Sequence, residues 1–331
     1  MKKIRLSIIF SILFISSYAQ DLIKSGPMVG YSTMQEVLLW VQTDEKAKVH
    51  FEYYEIDNPK IRYKTDNKDT DKKSGYVAKL IADEVVPGKN YKYEIFINGA
   101  KVERDYSMEF QTQKLWKWRT DPPDVSFVIG SCSYVNEPKF DRPGKPYGNN
   151  FEIFNSIHSK NPDFMLWLGD NTYLREPDWN SRTGFINRYS HTRALAELQP
   201  LLASTHHYAT WDDHDFGPNN SDGSFWLKET ASEIFKLFWG NPNYDVTGKG
   251  GITGFFQWGD LDFFLMDNRY HRTSNNNFTE DRQLLGKDQI DWLINALSFS
   301  QAPFKFIAIG GQVLSSGAVY ENYATYPEER K

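Results

Sequence analysis

Apolar and polar positions alternate along "YKYEIFI" (residues 91–97): Tyr91, Tyr93, Ile95 and Ile97 share one face, and Lys92, Glu94 and Phe96 the other. A period of two is the mark of a strand with one buried face. Asn98-Gly99 follows, the pair that a two-residue hairpin turn requires because both central residues take positive φ. "EVLLWVQ" and "VHFEYY" alternate or nearly so, and "FQTQ" ends the region. From about Gly26 to Thr112 the pattern predicts a small all-β sandwich with no catalytic constellation. "TDNKDTDKK" interleaves charges of both signs and reads as a solvated loop. His50 lies on a strand and reads as a surface or core histidine.

After "WKWRTDPPD", whose prolines punctuate the chain, the pattern changes. "VSFVIG" (125–130), "DFMLWLG" (163–169), "HYATW" (207–211), "LDFFLMD" (261–267) and "FKFIAIGG" (304–311) are apolar runs of the kind expected of strands buried on both faces. Helical spacing lies between them. Ile290, Leu293, Ile294 and Leu297 recur at i, i+3, i+4 and i+7, and "ASEIFKLFWG" stops at Gly240. Strands alternating with helices predict a layered α/β domain.

The first residues change what counts as the folded chain. Lys2, Lys3 and Arg5 precede an apolar stretch from Leu6 to Ile15 and the small-residue signal "SYA", a secretory leader cut after Ala19. That stretch holds ten residues against roughly 20 for a spanning helix. No other segment is apolar enough to span, so the expected location is periplasmic or extracellular. Losing three cations takes the net charge from −5 to −8, which argues against a stable nucleic-acid complex. Acidic clusters point to cations instead. Cys132 is the one cysteine, so an intramolecular disulfide is impossible; a free cysteine is most often a small buried hydrophobe.

Several apolar runs end in polar residues: Ser131-Cys132-Ser133, Asp170, Asp212 to Asp215, Asp267-Asn268-Arg269 and Gln312. The carboxyl ends of strands line the ligand crevice in open α/β sheets, so these residues gather on one rim. Gly169 lets the chain turn sharply before Asp170, and Tyr173 faces the same point if the loop curls like a helical turn. A phenolate is a hard oxygen donor suited to a strongly Lewis-acidic ion. In "TWDDHDFGPNN" (210–220), three carboxylates within four positions repel one another unless a cation offsets them. Asp212 or Asp213 is then a ligand and His214 a proton donor; the plainer reading is a loop whose aspartates cap a helix. His206 and His207 fall on the strand's entry side, where packing or surface roles fit. Arg182, Arg188 and Arg193 read as a solvated face.

"GSCS", "LGDNTY", "WDDHDFGPNN" and "MDNR" follow four strands in the order seen in the alkaline phosphatase D (PhoD-like) family of the metallophosphoesterase superfamily, which the chain resembles over its length. The resemblance implies an N-terminal β-sandwich (Fn3/Ig-like) over 20–115 and an α/β metallophosphoesterase domain (layered α/β/β/α) over 122–331. It implies Fe(3+) and Ca(2+), with Cys132 as a thiolate ligand, Asp170 as the bridging carboxylate, Tyr173 as the tyrosine ligand also seen in purple acid phosphatases, and Asp213 as a second-metal ligand. His214 matches the catalytic histidine, and Asn219 and Asn220 the family's following asparagine pair, read as substrate-binding. The implied activity is a secreted phosphoric monoester or diester hydrolase that uses a metal-activated hydroxide in line.

The sequence departs from the family in one respect. A Gly-Asp-x-His-like segment is expected near the C-terminus, yet His271 is the last histidine and Gln312 is followed by a stretch ending in "YPEERK". The expectation is a truncated chain with weak metal retention and little turnover. Two rivals stand beside the hydrolase: a glycoside hydrolase using Asp170 and Asp213 as its carboxylate pair, and a non-catalytic secreted protein that binds through its sandwich.

Overall fold

The computed structural model describes residues 22–277 and 282–331. The leader assigned to residues 1–19 lies outside the described residues. The chain divides into two compact units. One runs through Leu115 and takes in Glu152–Asn161 and Arg193–His206; the other holds Trp116–Phe151, Pro162–Thr192 and His207–Lys331.

The first unit contains strands β1 (Ile23–Ser32), β2 (Val37–Thr43), β3 (Lys48–Glu55), β4 (Tyr63–Lys64), β5 (Lys68–Asp69), β6 (Val77–Ala82), β7 (Asn90–Ile97), β8 (Ala100–Val102) and β9 (Glu109–Gln111). β2 lies between β1 and β6 in an antiparallel sheet. A second antiparallel sheet has the order β4-β3-β7-β8, with β5 on β3 and β9 on β7. Burial alternates along β7 as its sequence predicts: Tyr91, Tyr93, Ile95 and Ile97 join Leu39, Val41, Val49 and Phe51 in one core. At the β7–β8 turn Asn98 and Gly99 take φ of 50° and 82°, joining Ile97 to Ala100. His50 is buried and stacks on Phe96 at 4.8 Å. Two helices from later in the chain complete this unit, α1 (Glu152–His158) and, further on, Gln199–Ser204, beside which the Tyr93 hydroxyl donates to the Ala203 carbonyl at 2.8 Å.

In the second unit β10 (Phe127–Gly130) and β11 (Phe164–Leu168) run parallel, and β12 (His206–Thr210), all but its first residue, extends that sheet. β13 (Gly254–Trp258) pairs antiparallel with β14 (Leu261–Leu265), which runs parallel to β15 (Phe304–Ala308). The two sheets meet through rings: Tyr208 stacks on Phe256 at 3.7 Å, while Phe127 lies edge-on to Phe263 at 5.4 Å and to Phe306 at 5.5 Å, and Phe164 edge-on to Phe256 at 5.7 Å. Rings of this size bury much apolar area each, and stacked or edge-on pairs add about 0.5–1.5 kcal/mol beyond that area. The helix Lys287–Phe299 packs Trp292 and Leu293 against Phe264 and Met266.

Several sequence expectations are corrected here. β10 and β15 are not buried on both faces: each ends its sheet, and Ile129, Phe304 and Ile307 are 59%, 62% and 51% exposed. Ile294 is exposed although its helical spacing placed it with the core. Arg188 and Arg193 are buried, not solvated: Arg188 donates to Asp178 at 2.6 Å, and Arg193 lies over the Trp40 ring. Arg182 alone of the three is on the surface, paired with Glu233. β13 has no counterpart among the predicted strands, because Gly254, Gln257 and Gly259 break its apolar run. His206 and His207 are packed inside, His206 against the Gly30 carbonyl and His207 accepting from the Trp167 indole.

Candidate metal centre

The site forms where β10, β11 and β12 end. Past β11, Gly169 and Asp170 both turn left-handed, with φ of 97° and 51°, and past β10 so does Cys132, with φ of 58°. The two loops stay zipped beyond their strands, Cys132 N donating to Gly169 O at 3.2 Å and Ser133 N to Asp170 O at 2.8 Å. Gly169 has a second requirement. A Cβ there would lie 2.7 Å from Asp212 Cβ and 2.9 Å from Trp211 C, so the two strand ends meet at van der Waals distance only because the side chain is absent. Gly169→Ala therefore combines a left-handed alanine with overpacking, and should lose about 2–3 kcal/mol in a denaturant titration. An unchanged midpoint would mean that the loops part freely.

Five of the residues singled out in sequence come together. The Tyr173 hydroxyl donates to Asp170 Oδ2 at 3.0 Å, and Cys132 Sγ lies 3.8 Å from the same oxygen. His214 N donates to Asp170 Oδ1 at 3.3 Å. Donor atoms of Asp170, Asp213 and His214 all lie within 4.8 Å of one another. Cys132 is exposed, which rules out the small buried hydrophobe as its role. Asn220 reaches the cluster through its backbone, its N–H donating to Asp213 Oδ2 at 2.6 Å, while its side chain and that of Asn219 are exposed.

The electrostatics are those of acidic groups crowded together in a partly buried place. Burial, then Asp213 and Asp212, push Asp170 up to about 7. Burial opposes ionisation of Asp213 too, but Arg269, His214 and the Asn220 N–H outweigh it and hold that carboxyl low. Burial, then the charges of Asp170 and Cys132, hold the Tyr173 phenol far above its ordinary range, and burial lowers His214. Two carboxylates this close hold a proton between them unless a cation takes its place. The donors fit a metal: two carboxylates, a phenol, an imidazole and a thiol converge, and a bound cation would favour the ionised forms of Asp170 and Tyr173.

The other two aspartates of "DDHD" do other work. Asp215 is fully buried and its carboxylate accepts from Asn171 N, Thr172 N and Asp212 N at 3.2, 3.0 and 3.1 Å, fastening the Asp170 loop to the one-turn helix Asp213–Phe216. Asp212, offered as an alternative ligand, is engaged by Arg269 Nε at 2.6 Å and Asn268 Nδ2 at 2.8 Å. The capping interpretation thus holds for Asp215, whereas Asp213 lies in the cluster with Asp170 and His214. Sequence reasoning gave no role to Arg269, which is buried and also grips Glu321 through two hydrogen bonds of 3.0 Å. Nor did it single out Arg175 or Glu321. "MDNR" at a strand end was the available signal for Arg269; nothing in the sequence connects Glu321 to it.

Two stacked sheets with polar clusters at their strand ends define a metallophosphoesterase-like fold. It is shared with the solved structure of PhoD, at a TM-score of 0.74 and 18% identity over 94% of this chain and 68% of that one. The purple acid phosphatase from yellow lupin (Lupinus luteus) seeds matches with a TM-score of 0.59 and 14% identity, over 89% of this chain and 52% of that one. Within this class the resemblance is to the PhoD-like phosphatases: residues 240–325 match the family described as PhoD-like phosphatase, and 20–115 a domain of unknown function, DUF7800. Alkaline phosphatase D of Bacillus subtilis (strain 168) is 22% identical over 269 residues, 69% of this chain and 43% of that relative. The chain thus spans less than half the length of that curated relative. No described helix is long and apolar enough to cross a membrane.

Proposed function

We propose that the chain is an exported, metal-dependent phosphoric ester hydrolase of the alkaline phosphatase or phosphodiesterase type, with a first unit that is an Fn3/Ig-like sandwich. The observation that carries this reading is the convergence of Asp170, Asp213 and His214 within 4.8 Å, flanked by Tyr173 and Cys132. Fe(3+) would be held by Cys132, Asp170 and Tyr173 and Ca(2+) by Asp170 and Asp213, supplying Lewis acidity toward a phosphate oxygen and an acidified water. The protein's own residues do the rest. Asp170 is aimed by the Tyr173 hydroxyl and the His214 N–H, so its two oxygens face different partners. His214, neutral near pH 7 because burial lowers it, keeps an imidazole N–H to offer the leaving oxygen of the ester. Asn219 and Asn220 stand exposed beside the cluster, where a phosphate ester would enter. The glycosidase rival fits less well: carboxyl groups in retaining enzymes stand about 5–5.5 Å apart and in inverting ones about 6.5–9.5 Å, whereas donor oxygens of Asp170 and Asp213 lie within 4.8 Å.

Elemental analysis of the purified protein, paired with hydrolysis of an aryl phosphate monoester and the corresponding diester, tests the reading. Iron with calcium is expected, weakly retained, with slow hydrolysis of at least one ester that is lost on chelation and regained on adding the metals back. Hydrolysis indifferent to a chelator, or a protein that takes up no metal and no vanadate, would overturn it.

A further inference from the structure

We infer that Arg175 is a positioning residue for the phenol of Tyr173, acting through a clamp that includes Asp141 and Tyr134; this rests on the metal-centre reading above. Arg175 is buried, and its guanidinium has three anchors. Nε donates to Asp141 Oδ1 at 3.0 Å, Nη1 to the Tyr173 carbonyl at 2.5 Å and Nη2 to the Val135 carbonyl at 2.6 Å. Its flat face lies 4.3 Å from the centre of the Tyr134 ring.

Tyr134 is fixed in turn, because its hydroxyl donates to the same Asp141 Oδ1 at 2.9 Å, while Asp141 Oδ2 accepts from Glu137 N at 2.7 Å. The Tyr134 ring packs on the Tyr173 ring at 4.9 Å, and the His214 ring also packs on Tyr173, at 4.4 Å. One guanidinium therefore sets Tyr173 twice. It holds the backbone carbonyl directly and, through Tyr134, it holds the ring. The same group ties residues 134–141, which follow Cys132, to residues 170–175, which carry Asp170 and Tyr173. It sits on neither strand, so the strand ladder does not do this for it. A planar fork with several fixed donors suits this task, and a lysine ammonium cannot reproduce it. All three donor groups are committed to protein acceptors, so its role is geometry and not phosphate binding.

The test uses the full chain loaded with ferric iron, in wild type, Arg175→Met, Arg175→Lys and Tyr134→Phe, the last removing only the hydroxyl's bond to Asp141. Three readouts are compared: the visible absorbance of a phenolate bound to ferric iron, kcat and KM on an aryl phosphate, and amide hydrogen exchange of the metal-free protein. Arg175→Met should shift and weaken the absorbance and lower kcat about 10–100-fold with little change in KM, since small misplacements of a reacting group carry such losses. Arg175→Lys should fail to restore it, and Tyr134→Phe should fall between Arg175→Met and wild type. Exchange should rise at 134–141 and 170–175 and stay unchanged in the helix Lys287–Phe299. Unaltered absorbance and kcat per bound iron in Arg175→Met and Tyr134→Phe overturn the inference, even if melting temperature falls, because a purely structural tie would leave the folded site unchanged. A wild-type protein that binds ferric iron without any phenolate absorbance refutes Tyr173 as a ligand and this role with it. Phosphatase activity lost in every form, including wild type with normal absorbance, would instead count against the hydrolase reading alone.

Discussion

Asp170→Asn should abolish metal retention and reduce phosphate ester hydrolysis by at least about 10³-fold, the scale of several kcal/mol that a lost Lewis acid represents. The substitution isolates charge from shape. Asparagine tolerates the left-handed backbone that residue 170 adopts, and its amide oxygen can still accept from the Tyr173 hydroxyl. The charge is removed together with one acceptor, because the amide nitrogen then faces the His214 N–H from which Asp170 Oδ1 accepts. A second measurement fixes the cause. With metal removed, Asp170→Asn should melt higher than wild type at pH 8. The Asp170 carboxyl is held up to about 7 in the fold against an ordinary value of 3.8, so the stability tied to its neutral form is lost as pH rises through that range. The advantage of the variant should shrink as pH falls toward about 4, where the wild-type carboxyl increasingly keeps its proton in both states. A variant that retains metal and turns over, or that melts lower than the metal-free wild type at pH 8, would remove Asp170 from the centre of the site.

Arg269→Met should be the most destabilising exchange at the site. The guanidinium is 1% exposed and is held by Asp212 at 2.6 Å, by both oxygens of Glu321 at 3.0 Å and by the Ser221 carbonyl at 3.1 Å. A methionine fills the volume and strands the carboxylates, and breaking a buried pair from one side costs about 3–5 kcal/mol. Because about 1 kcal/mol moves Tm by some 2–4 °C in a unit of this size, thermal unfolding should begin roughly 10 °C lower. Glu321→Gln added to the Arg269→Met variant should recover part of the loss by removing one stranded charge, whereas Arg269→Lys should retain part of the stability through charge alone. A loss below about 1 kcal/mol would mean that Asp212 and Glu321 find new partners on relaxation.

The legible parts of this molecule are those where local periodicity and global placement agree. The period of two in β7 fixed which of its residues are inside, and the Asn98-Gly99 pair fixed the turn that follows. The rule that ligands gather at the carboxyl ends of strands brought Cys132, Asp170 and His214 together from stretches 38 and 44 residues apart. Tyr173 followed from its position three residues after Asp170. Other features depend on partners that no local pattern names. Asp212, Asp213 and Asp215 look alike in sequence, yet a single helical turn sends one to Arg269, one to the cluster and one into the core. Arg188 and Arg193 sit among mixed charges that suit a solvated face, but both are buried against partners from other elements. Phe304 and Ile307 read as doubly buried because an apolar run does not tell whether its strand lies in the middle of a sheet or at its edge.

The left-handed backbone at Cys132 has a consequence for the sulfur there. Aspartate and asparagine visit that conformation more readily than other side chains, so Asp170 occupies it at less cost. A cysteine lacks that ease, and a left-handed side chain of ordinary type stands to lose on the order of 1–2 kcal/mol. A carboxylate would suit the turn at position 132 better than a thiol does. Folding therefore works against this cysteine, and its place 3.8 Å from Asp170 is held at the expense of local stability.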